Sequence, residues 1–244
     1  MFDRILTKLR LRTPKPTRPI AESSASNSLK SDRAVILCGP ECDDDITPLI
    51  CKWLGRLKIP QGIIKYSAIG SSVDRNEFTR ILKETIGSKT VVIFVGHGAP
   101  DALLGPPLEE GINVQIDGVR FSVLYDESVV GLGPDTLFAF CCYSASRLGD
   151  IFVASGNRTF LGYTKKLPLD FDNEQCQRIW ESLLHNISLE IINDGVITKK
   201  HEDLLRELYD EAYDFFRNGK GRNNDRNITN LMYILRHKKI LRRL

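Results

Sequence analysis

The chain contains no apolar run approaching the roughly 18 residues that a membrane-crossing helix requires, and its N-terminus lacks the uninterrupted apolar block of a secretory signal. Both absences direct the reading to a cytoplasmic protein. Cysteine is sparse: Cys38, Cys42, Cys51, Cys141, Cys142 and Cys176 are too few for a disulfide scaffold in 244 residues, and none forms a CxxC pair. They read as free thiols, which leaves the glycosylation-like triplets starting at Asn157, Asn186 and Asn227 without use. Neither GxGxxG nor GxxxxGK[ST] is present, so the usual phosphate cradles are missing. No set of histidines or acids shows metal-ligand spacing, so neither a metal nor a cofactor is expected. No internal repeat is visible.

What is there begins with charge. The net value of +3 conceals basic ends around an acidic body: residues 1–33 carry eight Lys/Arg against three acids, residues 217–244 nine against one, and the remainder 17 against 27. Such ends suit nucleic acid, an anionic membrane or an acidic partner, yet solvated tails have the same composition, and no nucleic-acid partner follows firmly. Residues 1–33, with a basic amphipathic start around Phe2, Ile5, Leu6 and Leu9 and then a Pro- and Ser-containing stretch, read as a flexible leader.

From Ala34 the pattern becomes regular. Residues 34–38 (AVILC) form a compact apolar strand, and Ile46, Leu49, Ile50, Trp53, Leu54 and Leu57 fall at one-faced helical spacing, with Pro48 tolerable in the first turn. Residues 63–69 supply a second strand. Asp74 with Glu77 caps a helix expected to bury Phe78, Ile81, Leu82 and Ile86, and residues 90–95 make the third strand. Strands separated by helices imply parallel pairing through right-handed crossovers. Residues 98–107 read as a glycine- and proline-bearing loop, and residues 114–116 and 119–124 around Asp117-Gly118 as a small hairpin. Residues 136–140 and 158–163 are further strands with a helix over 144–154 between them. Lys165 to Pro168 turn the chain away from the sheet, everything beyond Asp172 reads helical, and the chain ends in the basic tail RHKKILRRL. The organisation is a leader (1–33), an α/β core (34–172) and a helical C-terminal segment of the same domain (173–244).

Two of the apolar runs end in chemistry. VVIFVGHG puts His97 between two glycines, and TLFAFCCYSA puts Cys141 and Cys142 directly after the run 137–140. In open parallel sheets, ligands and substrates gather beyond the strand C-termini. If these strands are neighbours, a histidine and a thiol share one rim, which is a cysteine nucleophile with its base. The amides of Gly98 and Cys142 are the candidate oxyanion donors. Taken singly, His97 reads as a loop histidine and Cys142 as a small buried hydrophobe; consecutive rim positions favour function. Adjacent residues at a strand end point in opposite directions, so only one thiol can face His97.

An apolar strand ending in His-Gly, followed by an apolar strand ending in Cys, resembles the caspase-like cysteine peptidases, a superfamily of caspases, metacaspases, gingipains, separases and CHAT proteases. The resemblance covers residues 34–169. FVGHGAP is similar to the histidine motif, and FCCYSA resembles the CHAT and separase form of the cysteine motif, where Ala-Cys-x-Ser is typical. On that pattern Cys141 stands for the Ala, Cys142 is the nucleophile, and Ser144 holds the small-residue position. The glutamine-containing pentapeptide of true caspases is absent. The resemblance implies a caspase-like fold, a mostly parallel doubly wound sheet flanked by helices, and a cysteine endopeptidase acting on protein substrates. It further implies a regulated role in antiviral defence or cell death, with an activating partner and a gasdermin-like pore former or other effector as substrate.

In this superfamily an acid in the pocket selects Lys or Arg before the cleaved bond, and an arginine selects Asp. Asp43, Asp44 and Asp45, just past the first strand, are the acids that favour basic specificity, although they also suit a solvated helix start. Arg147 and Arg158 would suit an acidic residue. The alternatives are a catalytically inactive, peptidase-derived interaction module and a doubly wound domain binding a small phosphorylated ligand.

Overall fold

A computed structural model describes residues 33–42, 46–108, 111–156, 158–169, 174–218 and 225–244. The expected leader, up to residue 32, and Asp43, Asp44 and Asp45 lie outside the described residues.

The apolar runs build the centre of an α/β fold. Strands β1 (Arg33–Pro40), β2 (Ile64–Gly70), β3 (Lys89–Val95), β8 (Thr136–Phe140), β9 (Thr159–Tyr163) and β10 (Leu241–Arg243) form a six-stranded sheet in the order β10-β9-β8-β3-β1-β2. All neighbours pair in parallel except β10, which runs antiparallel to β9. Strands buried on both faces need continuous apolar sequence, and β3 and β8 supply it. Their residues divide alternately between two cores. Val91, Ile93, Val95, Phe138 and Phe140 face one side; Val92, Phe94, Leu137, Ala139 and Cys141 face the other.

Helices cover both faces. On the first side lie α1 (Thr47–Gly55), α4 (Glu174–Asp194), α5 (Lys199–Asn218) and α6 (Asp225–Ile240), which bury Trp53, Trp180, Tyr209 and Ile234. On the second lie α2 (Arg75–Glu84) and α3 (Arg147–Ala154), which bury Phe78 and Phe152. Each such side chain contributes about 1.5–3 kcal/mol by leaving water. The cap read at Asp74 is formed: its carboxylate accepts the Glu77 N–H at 2.8 Å. Ile86, expected on the buried face, lies two residues beyond the end of α2 and is 69 % exposed.

Two segments depart from the sequence reading. Residues 98–107 are not a loop: β4 (Gly98–Ala99) and β5 (Ala102–Pro107) join β6 (Asn113–Ile116) and β7 (Val119–Tyr125) in a separate four-stranded antiparallel sheet. The basic end of the chain is not a tail. Leu241–Arg243 is the edge strand β10, Arg242 pairs with Asp150 at 2.9 Å, and the Leu244 amide and carbonyl exchange hydrogen bonds with Phe160. Residues 165–168 leave the sheet as expected and lie against the turn after β8, the Lys165 carbonyl accepting the Tyr143 N–H at 3.1 Å. The inserted sheet is fastened to α2 by Arg75, whose guanidinium grips the Asp126 carboxylate with bonds of 3.0 and 3.3 Å and also reaches the Val123 carbonyl.

Among the described residues no helix is long and apolar enough to cross a membrane.

Candidate functional site

The site grows from one register. β3 and β8 are adjacent and parallel, and their last paired residues are Val95 and Phe140. His97 and Cys142 each follow two positions later, so equal lengths of chain carry both past the same rim. Gly96 makes the exit from β3 with φ +150, a conformation that L side chains rarely adopt. Gly98 is then pressed against the other strand end: a methyl group on it would stand 2.4 Å from the Cys142 carbonyl oxygen and 2.7 Å from the Cys141 sulfur. Only glycine lets the two exits meet so closely.

The ladder that Gly98 starts does not use its amide. The Leu104 N–H donates to the His97 carbonyl at 3.1 Å, which makes 97 and 104 the bonded pair, while Gly98 is opposite Leu103. Bonded and non-bonded pairs alternate in antiparallel strands, so the Gly98 N–H and C=O point away from β5.

Among the described residues, Thr47 and Phe121 stand against the His97 imidazole. The Thr47 hydroxyl, on the first turn of α1 and 4 % exposed, lies 3.5 Å from Nε2. Phe121 of β7 packs its ring on the imidazole with centroids 4.8 Å apart. The inserted sheet is thus a wall of the site.

The two thiols diverge as adjacent residues at a strand end must. Cys141 is 1 % exposed and packs in the second core. Cys142 is half-buried and borders the first. Burial pushes the Cys141 thiol far above its ordinary range. Burial also raises Cys142, but the Leu167 N–H, the Lys166 charge, its own backbone N–H and the Arg236 charge act in the opposite direction. Its sulfur accepts the Leu167 N–H at 3.2 Å. A resting thiol, not a thiolate, is the consequence at neutral pH.

The turn after Cys142 is strained and pinned. Tyr143 has φ 58, in the left-handed region, which costs a non-glycine residue about 1–3 kcal/mol. Its N–H donates to the Lys165 carbonyl at 3.1 Å. Ser144, fully buried, hydrogen-bonds the Ala139 and Cys141 carbonyls at 3.2 Å and accepts the Tyr163 N–H at 3.2 Å. The loop over the sulfur is held in turn by α6: the Pro168 carbonyl lies 2.6 Å from His237 Nε2. His237 sits among the rings of Tyr163, Trp180 and Tyr209, and burial lowers its pKa to about 3, so the ring is neutral.

His185 and His201, like His237, serve the scaffold: His185 Nε2 meets the Trp53 carbonyl, and His201 Nδ1 accepts the Thr198 N–H. Arg158 precedes β9 and bonds to the Val130 carbonyl, at the opposite end of the sheet from Cys142. Arg147 lies on α3 and pairs with Glu127 at 3.6 Å. Neither belongs to the group around the sulfur. Among the described residues no three His, Cys, Asp or Glu side chains converge as metal ligands. Thr47, Phe121, Lys166, Leu167 and Arg236 were not readable in advance, because each reaches the site by a contact distant in sequence.

No protein-family model, curated protein or solved structure matches the chain.

Proposed function

We propose that this chain is a cysteine endopeptidase of the caspase-like, CHAT type, with Cys142 as nucleophile and His97 as its base. The observation that carries the reading is the β3–β8 register: Val95 opposite Phe140 sends His97 and Cys142 over one rim.

Because burial keeps the Cys142 thiol protonated at rest, the histidine removes its proton as the sulfur attacks the peptide carbonyl. The carbonyl carbon becomes tetrahedral, and its oxyanion is received by the Gly98 and Cys142 amides. The C–N bond then breaks, the imidazolium gives its proton to the leaving amine, and a thioester remains. Water, deprotonated by His97, hydrolyses that thioester and returns the thiol. The Gly98 N–H that points away from β5 and the backbone N–H that faces the Cys142 sulfur support this assignment. The resemblance extends the reading to a regulated protease of the cytoplasm, acting in defence or cell death on a protein effector such as a gasdermin-like pore former.

Purified variants tested on an internally quenched peptide library decide it. Cys142→Ala and His97→Ala abolish cleavage, whereas Cys141→Ala keeps most of it; the reverse pattern for the two cysteines overturns the assignment.

A further inference from the structure

Two cations, Lys166 and Arg236, adjoin the contacts that hold the loop against the half-buried sulfur. Lys166 stands between two contacts that tie its loop to the nucleophile: the preceding Lys165 carbonyl accepts the Tyr143 N–H at 3.1 Å, and the following Leu167 N–H reaches Cys142 Sγ at 3.2 Å. Arg236 stands next to His237, whose ring holds the Pro168 carbonyl at 2.6 Å at the end of the same loop. Both cations are exposed, and both are close enough for their charge to act on the thiol. Among the described residues no acid pairs with Arg236, and Lys166 has only Asp117, 3.9 Å away with side chains 65 % and 86 % exposed. Asp117 is the turn of the β6–β7 hairpin, the element that also carries Phe121 against His97. An ion pair so long and so exposed contributes little and is easily exchanged. Beside Arg236 on α6, Met232 and Leu235 are 65 % and 52 % exposed, which adds an apolar strip to the basic one.

We propose that the site takes an acidic protein segment: a Glu or Asp side chain beside the reacting bond lies between Lys166 and Arg236 and displaces Asp117 from Lys166. The proposal rests on the endopeptidase reading for the word substrate, but the surface itself is independent of turnover. Asp117 then acts as an internal stand-in for the substrate carboxylate. This is the opposite specificity to the one read from Asp43, Asp44 and Asp45.

Binding and cleavage are measured apart. Fluorescently labelled mixed-sequence peptides with one fixed Glu, Gln or Lys are titrated by anisotropy against the Cys142→Ala protein. The Glu set is expected to bind about fivefold or more tightly than the Gln set, with the difference lost in Lys166→Glu and in Arg236→Glu and reduced by salt. Asp117→Asn, which removes the internal competitor, is expected to tighten binding of the Glu set. Equal binding of the three sets, a preference for Lys, no measurable binding, or an acid preference that survives Lys166→Glu each overturn the proposal. Acid-selective binding without cleavage by the unsubstituted protein would leave this surface standing and remove the peptidase; Cys142-dependent cleavage without acid selectivity would do the reverse.

Discussion

A methyl group on Gly98 would meet the Cys142 carbonyl oxygen at 2.4 Å, so the residue after His97 and the proposed nucleophile are in backbone contact. The obstructing atom belongs to the main chain and cannot rotate aside. Gly98→Ala is therefore expected to part the two strand exits. Overpacking of this kind costs about 1–3 kcal/mol, read as a lowered Tm. The shift of the amide away from the reacting carbonyl reduces kcat/KM by about a hundredfold. A variant with unchanged activity would show that the contact does not set the site.

Ser144 bridges three backbone groups that fix the turn after Cys142. Ser144→Ala removes the acceptor of the Tyr163 N–H in a fully buried position, at about 1–3 kcal/mol measured by urea denaturation. The expected kinetic signature is a fall in kcat larger than any rise in KM, since the hydroxyl touches no substrate.

The anchor of the inserted sheet responds to acid. Burial alone would raise the Asp126 carboxyl, but the bonds from Arg75 and Ser128 outweigh it and hold the pKa below the ordinary 3.8. The carboxylate's contribution is complete above that value and is lost as pH falls through the lower folded one. Arg75→Leu is expected to reduce stability at neutral pH and to flatten this acid limb. Denaturation curves across the range test it.

His237 titrates in a different window. Its pKa is lowered by burial from 6.5 to about 3, so below 6.5 the unfolded chain binds a proton that the folded one refuses. Stability then falls by about 1.4 kcal/mol per pH unit down to the folded value. His237→Gln retains a donor for the Pro168 carbonyl and removes the titration. Its stability is expected to be flatter between those limits, with peptide cleavage retained; an unaltered pH slope contradicts the assignment.

The legible parts of this fold were those where chemistry is local. The runs before His97 and Cys142 read as buried strands because both faces of each are apolar, and Asp74 with Glu77 capped α2 as the spacing required. Leu103 and Leu104 belong to an antiparallel sheet, but the following Gly105, Pro106 and Pro107 carry turn chemistry, so the sequence of β5 has the signature of a loop. β10 is three residues long, and its two arginines hide an edge strand inside a basic run. Thr47 and Leu167 lie 50 and 25 residues from the groups they touch, and no local pattern records such a contact.

The most direct test is covalent capture of the sulfur. The folded protein is incubated with a peptide-based thiol-directed electrophile, digested and read by mass spectrometry. One equivalent on Cys142, with none on Cys141 and little in His97→Ala, is the outcome expected of a nucleophile driven by its neighbouring histidine. An unlabelled Cys142, or labelling indifferent to His97, contradicts it.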